Sequence, residues 1–105
     1  MELSAAQRER YERNLLVEGF TDRMQQALIA ARVAVVGAGG LGSAALNYLV
    51  AAGVGHLTLI ENDTVSLSNL QRQVLYTTAD MGRPKAEVAA MRLSRLNPGC
   101  DIRVV

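Results

Sequence analysis

Metal-binding and disulfide-forming side chains are scarce in this sequence. It contains one cysteine, one histidine and no tryptophan among 105 residues. The lone cysteine, Cys100, excludes an internal disulfide and any Cys-x-x-Cys metal spacing, and His56 has no second histidine with which to build a metal site. Three tyrosines and one phenylalanine are also too few for a base-stacking platform. We therefore predict no metal site in this chain.

A large excess of one charge and long apolar runs are absent as well. The formal net charge is +1, so no strong field would recruit nucleic acid or an acidic membrane. No apolar run approaches the roughly 18 residues that a membrane span needs, and Met1-Glu2-Leu3-Ser4 lacks the basic segment and apolar core of a signal peptide. These absences favour a cytoplasmic protein that binds neither nucleic acid nor membrane. Half of the residues are apolar and 20% are charged, which is typical of one small globular domain.

The most informative segment is a glycine-rich turn between a strand-like run and a helical run. Residues 32–36 are Arg-Val-Ala-Val-Val, and residues 37–42 are Gly-Ala-Gly-Gly-Leu-Gly. In a nucleotide-binding turn of this spacing, Gly37 allows the tight turn, Gly39 lets the backbone approach phosphate, and Gly42 lets the helix pack on the strand. The N–H groups at the start of the helix then attract the anion. The segment predicts a nucleotide phosphate near Gly40, although the same spacing also occurs in turns that only pack a helix on a strand.

Helical and strand-like segments alternate after residue 31. The pattern predicts helices at residues 4–16, 24–31, 43–52 and 85–96, strands at 33–36, 57–60 and 101–105, and a long loop at 64–83. Strands that alternate with helices indicate a parallel sheet. We therefore predict an α/β fold, the N-terminal half of a doubly wound, Rossmann-like parallel sheet with three strands, preceded by two helices.

The predicted elements also suggest how the chain is divided. We expect residues 1–31 to form an N-terminal helical segment, and residues 32–105 to form a partial Rossmann-like ATP-binding domain that ends before the fourth strand. The ligand crevice of this fold opens between the first and fourth strands. We therefore expect the chain to be a fragment or a truncated gene product.

Three further motifs accompany the glycine turn. They are Arg-Tyr-Glu-Arg-Asn at residues 10–14, Glu-Asn-Asp-Thr-Val-Ser-Leu-Ser-Asn-Leu-Gln-Arg-Gln at residues 61–73, and Gly-Arg-Pro-Lys-Ala at residues 82–86. Together they closely resemble the ThiF/MoeB/HesA family, the bacterial relatives of ubiquitin-activating enzymes, over nearly the whole chain. The resemblance implies an enzyme that uses ATP and Mg²⁺ to adenylate the C-terminal carboxylate of a ubiquitin-like sulfur-carrier protein ending in Gly-Gly. Such activation serves molybdenum cofactor or thiamine biosynthesis.

The resemblance also assigns site residues. Arg13, Arg72 and Lys85 are implied to be catalytic, and Arg13 would reach into the site of the second subunit of a homodimer. The nucleotide is implied to contact the glycine turn, the end of the second strand and the loop after it: Gly37, Gly39, Gly40, Gly42, Glu61, Asp63, Ser68, Asn69, Leu70, Gln71, Arg72 and Lys85. Positive charge suits this chemistry, because attack of a carboxylate on the α-phosphate brings two anions together. Arginine can bind phosphate oxygens through two parallel hydrogen bonds, whereas lysine acts as a point charge.

The sequence departs from the family pattern at Glu61, where the family usually has aspartate. An acidic residue at this place suits the ribose hydroxyls, but Glu61 can instead cap the loop through backbone N–H groups. Asp63 is the second candidate for ribose, and it can equally stabilise a turn. The family's Mg²⁺-binding aspartate, the paired Cys-x-x-Cys zinc ligands of many members and the cysteine used in sulfur transfer would all lie beyond residue 105. Cys100 does not match that cysteine.

Two other functions remain open from the sequence. The glycine turn and Glu61 also allow an NAD-dependent dehydrogenase, although a dehydrogenase does not need the motif at residues 68–73. The chain can also be a non-catalytic module that dimerises through an exposed sheet edge. We expect the isolated 105-residue chain to be inactive, because the Mg²⁺ ligand and the far wall of the crevice would be missing.

Overall fold

A computed structural model describes residues 2–105, so Met1 of the predicted N-terminal segment lies outside the described residues. The helices are α1 (Ala5–Arg10), α2 (Glu12–Leu15), α3 (Asp22–Ala30), α4 (Gly40–Ala52) and α5 (Lys85–Leu96), and the strands are β1 (Arg32–Val36), β2 (His56–Ile60) and β3 (Asp101–Val104). Two short 3-10 helices, Leu67–Asn69 and Thr78–Asp80, lie in the loop between β2 and α5. The order of the elements confirms the predicted α/β fold.

The helix predicted over residues 4–16 is divided into α1 and α2 at Tyr11, whose φ of −102° and ψ of 16° interrupt the helical backbone. Tyr11 is buried, and its hydroxyl accepts a hydrogen bond from Asn97 Nδ2 at 2.8 Å. A contact with a residue far along the chain therefore accompanies the break. The start of α1 follows the local sequence, because Ser4 and Gln7 form a reciprocal capping box.

The three strands form a parallel sheet in the order β1-β2-β3. In the register of the sheet, Leu57 of β2 is paired with Val33 of β1 and with Ile102 of β3. This order is that of the first half of a doubly wound sheet. The carboxyl ends of all three strands therefore lie at one edge, where β1 continues into the glycine turn and β2 into residues 61–66.

The hydrophobic core lies between one face of the sheet and the helices α4 and α5. Its almost completely buried side chains include Leu46, Val50, Leu57, Leu59 and Leu93. Cys100 belongs to the same cluster, and burial raises the pKa of its thiol. The core thus fixes the two helices whose N-termini face the carboxyl edge of the sheet.

The opposite face of the sheet is open. Arg32, Ala34 and Arg103 are exposed there, and they line a groove together with Thr58. Doubly wound sheets are ordinarily covered on both faces, whereas within residues 2–105 the hydrophobic core lies on one face of the sheet. None of the helices within residues 2–105 has the length and apolar character that a membrane span requires.

Candidate nucleotide-binding site

The glycine turn at residues 37–42 has the geometry that its sequence predicts. Gly37 has a φ of +93°, a left-handed conformation that favours glycine. A Cβ at Gly42 would overlap the backbone carbonyl of Gly37, so only glycine allows α4 to lie this close to the end of β1. By contrast, a Cβ at Gly40 would meet no atom within 4 Å. Gly40 therefore faces open space, as a phosphate-binding position must.

The N-terminus of α4 is free to bind an anion. Gly39 is the N-cap residue, and no side chain caps the helix. The first N–H groups of an α-helix have no acceptor within the helix, and the helix dipole places positive potential at the same end. The turn therefore presents unpaired donors and a favourable potential next to the open side of Gly40.

Two side chains hold the backbone of Ala38 in the turn, one through its N–H group and one through its carbonyl group. Its N–H donates to Glu61 Oε1 at 2.9 Å, and its carbonyl accepts from the Tyr76 hydroxyl at 2.7 Å. Tyr76 is buried, and this burial, with a smaller effect of the Glu61 charge, raises its pKa far above the usual range. The conformation of the turn is fixed before any ligand binds.

Glu61 caps the backbone at the end of β2. Besides its bond to Ala38, its carboxylate accepts from the N–H groups of Asn62 at 3.0 Å and Asp63 at 3.3 Å through Oε2. The loop-capping alternative for Glu61 is thus what the structure shows. Each carboxylate oxygen can accept more than one hydrogen bond, and contact of Glu61 with ribose stays a prediction.

Lys85 brings a buried positive charge to the loop after β2. It is the first residue of α5, its side chain is only 4% exposed, and Nζ lies 3.5 Å from Asp63 Oδ2. The Lys85 backbone N–H also donates to the Asp63 carbonyl at 2.9 Å. A hydrogen bond from the Thr64 N–H, and then the charge of Lys85, lower the pKa of Asp63. The structure therefore joins the predicted residues Asp63 and Lys85 in one ion pair.

The motif at residues 68–72 begins within the short 3-10 helix Leu67–Asn69 and continues into the turn after it. The Asn69 Oδ1 accepts from both the backbone N–H and the hydroxyl of Ser66, so Asn69 stabilises the loop itself. Arg72 is exposed and donates from Nη1 to the Ser68 carbonyl at 3.1 Å. Gln71 is also exposed, whereas Leu70 packs against the hydrophobic core. Any nucleotide contact made by Leu70 would therefore come from its backbone.

A buried carboxylate, which the sequence analysis missed, fastens this loop to α5. Asp80 accepts from the Thr77 N–H at 2.7 Å, the Thr77 hydroxyl at 2.9 Å and Arg92 Nη2 at 2.8 Å. Burial alone would raise the pKa of Asp80, but these hydrogen bonds and the charges of Arg92 and Arg83 outweigh it, so the pKa is lowered. The spacing Thr-x-x-Asp at residues 77–80 is a capping-box pattern that could have indicated this role.

Arg13 lies far from the glycine turn of its own chain. It is exposed on α2, which is anchored by Asn14: Asn14 Nδ2 donates to the Ala52 carbonyl at 3.1 Å. Ala52 is the last residue of α4, whereas Gly40 is the first. The two ends are roughly 18 Å apart at 1.5 Å per residue. The structure thus does not bring Arg13 together with Arg72 and Lys85 within one chain.

Metal-ligating side chains do not cluster in the part of the chain that is described. No group of three or more His, Cys, Asp or Glu residues within residues 2–105 is arranged to hold a metal ion.

Several known proteins are similar to this chain in sequence and in fold. The molybdopterin-synthase adenylyltransferase of Escherichia coli is 54% identical over 104 residues, which cover 99% of this chain and 42% of that protein. The sulfur carrier protein ThiS adenylyltransferase of Escherichia coli is 49% identical over 93 residues, covering 89% of this chain and 37% of that protein. The solved ATP complex of the Escherichia coli tRNA threonylcarbamoyladenosine dehydratase TcdA has a TM-score of 0.90 at 36% identity, over 100% of this chain and 42% of that one.

The matches extend over almost all of this chain but over only part of each relative. The chain spans about two fifths of the length of these proteins. Residues 11–105, which include the glycine turn and all three accompanying motifs except Arg10, match the ThiF family. The chain therefore belongs to the ThiF family.

Proposed function

We propose that this chain is the ATP-binding N-terminal part of an adenylyltransferase that activates the C-terminal carboxylate of a ubiquitin-like sulfur-carrier protein ending in Gly-Gly. The observation that carries the proposal is the glycine turn, in which the N–H and the carbonyl of Ala38 are both hydrogen-bonded by side chains while Gly40 faces open space. A preformed turn at an uncapped helix N-terminus suits the phosphates of ATP. Mg²⁺ accompanies ATP in this proposal, and its ligand, like any zinc site of the full-length protein, is assigned to no residue of this chain.

Arg72 and Lys85 supply the positive charge in this proposal. The Arg72 guanidinium has one bond to the Ser68 carbonyl, which leaves further donors for phosphate oxygens. Lys85 is buried beside Asp63, so its charge is held in place without the flexibility of a surface lysine. Fixed positive groups stabilise the charge that develops when a carboxylate attacks the α-phosphate. Glu61 or Asp63 is the proposed contact with the ribose of ATP, and residues 68–71 contact the same nucleotide in this proposal.

The choice of substrate follows from the relatives. The two adenylyltransferases are 54% and 49% identical to this chain, whereas the dehydratase that acts on tRNA is 36% identical. We therefore favour a sulfur-carrier protein over a tRNA, and molybdenum cofactor or thiamine biosynthesis as the setting. Because the relatives are adenylyltransferases, we also favour ATP over NAD.

The N-terminal segment at residues 1–31 contributes Arg13 in trans in this proposal. Arg13 lies at the far end of α4 from the glycine turn of its own chain, and a second subunit of a homodimer offers the route by which it would reach a nucleotide. Residues 32–105 form the ATP-binding part. The isolated chain would bind nucleotide without forming an adenylate, since the remaining elements of the site lie outside it.

Pyrophosphate exchange in the full-length protein, with ATP and a sulfur-carrier protein, tests the proposal. We expect Arg72→Ala and Lys85→Ala to lower exchange by about 2–3 orders of magnitude, as loss of a charge-stabilising group does. Arg95→Ala, which removes an exposed arginine near the other end of α5, is the matched control and should leave exchange unchanged. Undiminished exchange in both site variants would contradict their assigned roles, and absence of carrier-dependent exchange in the unsubstituted protein would contradict the function.

A further inference from the structure

Two buried glutamines of this chain differ in how their side chains are bonded. Gln25 is completely buried and satisfied: Oε1 accepts from Asn14 Nδ2 at 2.9 Å, and Nε2 donates to the Ala52 carbonyl at 3.0 Å. Gln73 is 4% exposed, but its Oε1 is buried without any hydrogen-bond partner. A buried polar atom without a partner destabilises the folded state. The hydrogen bonds of the fold therefore do not explain why residue 73 carries a carboxamide.

The Gln73 side chain is aimed at the glycine turn. Its Nε2 lies 3.6 Å from the position that a Cβ of Gly39 would occupy. Gly39 is the N-cap of α4, where no side chain of the protein satisfies the helix. The amide thus lies directly beside the place where the backbone is most open to an anion.

We propose that the Gln73 carboxamide binds the phosphate oxygens of the nucleotide at Gly39, donating from Nε2. This assignment rests on the proposed function. An apolar side chain of similar size would avoid the unpaired Oε1, so the carboxamide at this position is explained by its other end, the Nε2 donor beside Gly39, which can bind a phosphate oxygen. As a neutral donor, Gln73 complements the charged Arg72 and Lys85 without adding to their mutual repulsion.

Nucleotide titrations of the full-length protein with Gln73→Leu and Gln73→Glu test the assignment by isothermal calorimetry. We expect Gln73→Leu to weaken ATP binding about tenfold, equivalent to about 1.4 kcal/mol. Gln73→Glu has the same shape but places a negative charge beside the phosphates, so it should weaken ATP binding further. Adenosine, which has no phosphate, should bind both variants as it binds the unsubstituted protein.

Gln25→Leu is the matched control, because it removes a buried carboxamide that is satisfied within the fold. Without nucleotide, Gln73→Leu should melt at or above the temperature of the unsubstituted protein, whereas Gln25→Leu should melt below it. Gln25→Leu should keep its ATP affinity. Gln73→Leu should thus lower ATP affinity without lowering stability, whereas Gln25→Leu should lower stability without lowering ATP affinity.

Several results would overturn the assignment. If Gln73→Leu melts early and binds ATP normally, or if both Gln73 variants fail to fold, Gln73 is a structural residue of the turn. If adenosine binding weakens as much as ATP binding, the contact is not to phosphate. An unsubstituted protein that does not bind ATP would overturn the proposed function and this assignment together, whereas ATP binding that survives both Gln73 substitutions overturns this assignment alone.

Discussion

Replacing Tyr76 with phenylalanine isolates one hydrogen bond beneath the glycine turn. Tyr76 and Ala38 are both buried, and the Tyr76 hydroxyl donates to the Ala38 carbonyl at 2.7 Å. Phenylalanine keeps the ring and its packing, so Tyr76→Phe removes only the donor and leaves the carbonyl buried without this partner. Such a loss costs about 1–3 kcal/mol. We therefore expect the free energy of unfolding to fall by about 2 kcal/mol.

Urea unfolding of the full-length protein measures this change. Tyr48→Phe is the matched control, because Tyr48 lies on α4 and is 77% exposed. Its effect should stay within about 0.5 kcal/mol, as for most surface substitutions. Tyr76→Phe should also weaken ATP binding, because only Glu61 would still hold the Ala38 peptide. Equal unfolding free energies for the two variants would refute the inference that Tyr76 holds the turn.

The remaining predictions concern Asp80, which fastens the loop to α5, the close contact of α4 with β1 at Gly42, and the action of Arg13 in a second subunit. Asp80→Asn should lower the free energy of unfolding by about 2–3 kcal/mol at neutral pH, as charged hydrogen bonds contribute. Because the pKa of Asp80 is lowered in the folded protein, its carboxylate stabilises the fold above the unfolded pKa of about 3.9, and this stabilisation is lost as the pH falls through the folded pKa. In urea unfolding at several pH values, the free energy of unfolding of Asp80→Asn should therefore fall less steeply on acidification than that of the unsubstituted protein. An equally steep fall in both proteins would contradict this role of Asp80. Gly42→Ala should lose cooperative melting in circular dichroism, because the added methyl would overlap the Gly37 carbonyl. Gly40→Ala, with no atom within 4 Å of the added methyl, should melt as the unsubstituted protein does. Equal melting curves for the two variants would rule out the close contact at Gly42. Mixing Arg13→Ala and Lys85→Ala homodimers should restore pyrophosphate exchange if Arg13 acts in trans, because one site of each heterodimer is complete; no recovery after verified subunit exchange would exclude it.

Local sequence patterns were sufficient to predict most of the elements. The helix predicted at residues 85–96 has those bounds in the structure, and β1 and β2 each begin one residue before the prediction. The capping box at Ser4 and the roles of Gly37 and Gly42 are also as predicted. These features depend on residues within a few positions of one another, so spacing alone specifies them.

The division of the N-terminal helix at Tyr11 could not be predicted in this way. The helical pattern continues through Tyr11, but the side chain bonds to Asn97, 86 residues later. The roles of Asn14 and Gln25 are hidden for the same reason, since both bond to the Ala52 carbonyl at the end of α4.

In the candidate site too, some features depend on short sequence motifs and others on contacts between residues far apart in the chain. The sequence by itself determined the glycine turn, the position of Lys85 at a helix start and the motif that carries Arg72, because each is a short run with its own backbone requirement. Only the tertiary structure decided that Glu61 and Tyr76 hold Ala38, that the Gln73 side chain lies beside Gly39 and that Asp80 fastens the loop to α5. Those contacts join residues from 12 to 38 positions apart, and they depend on the packing of the parallel sheet, which brings the carboxyl ends of its strands to one edge.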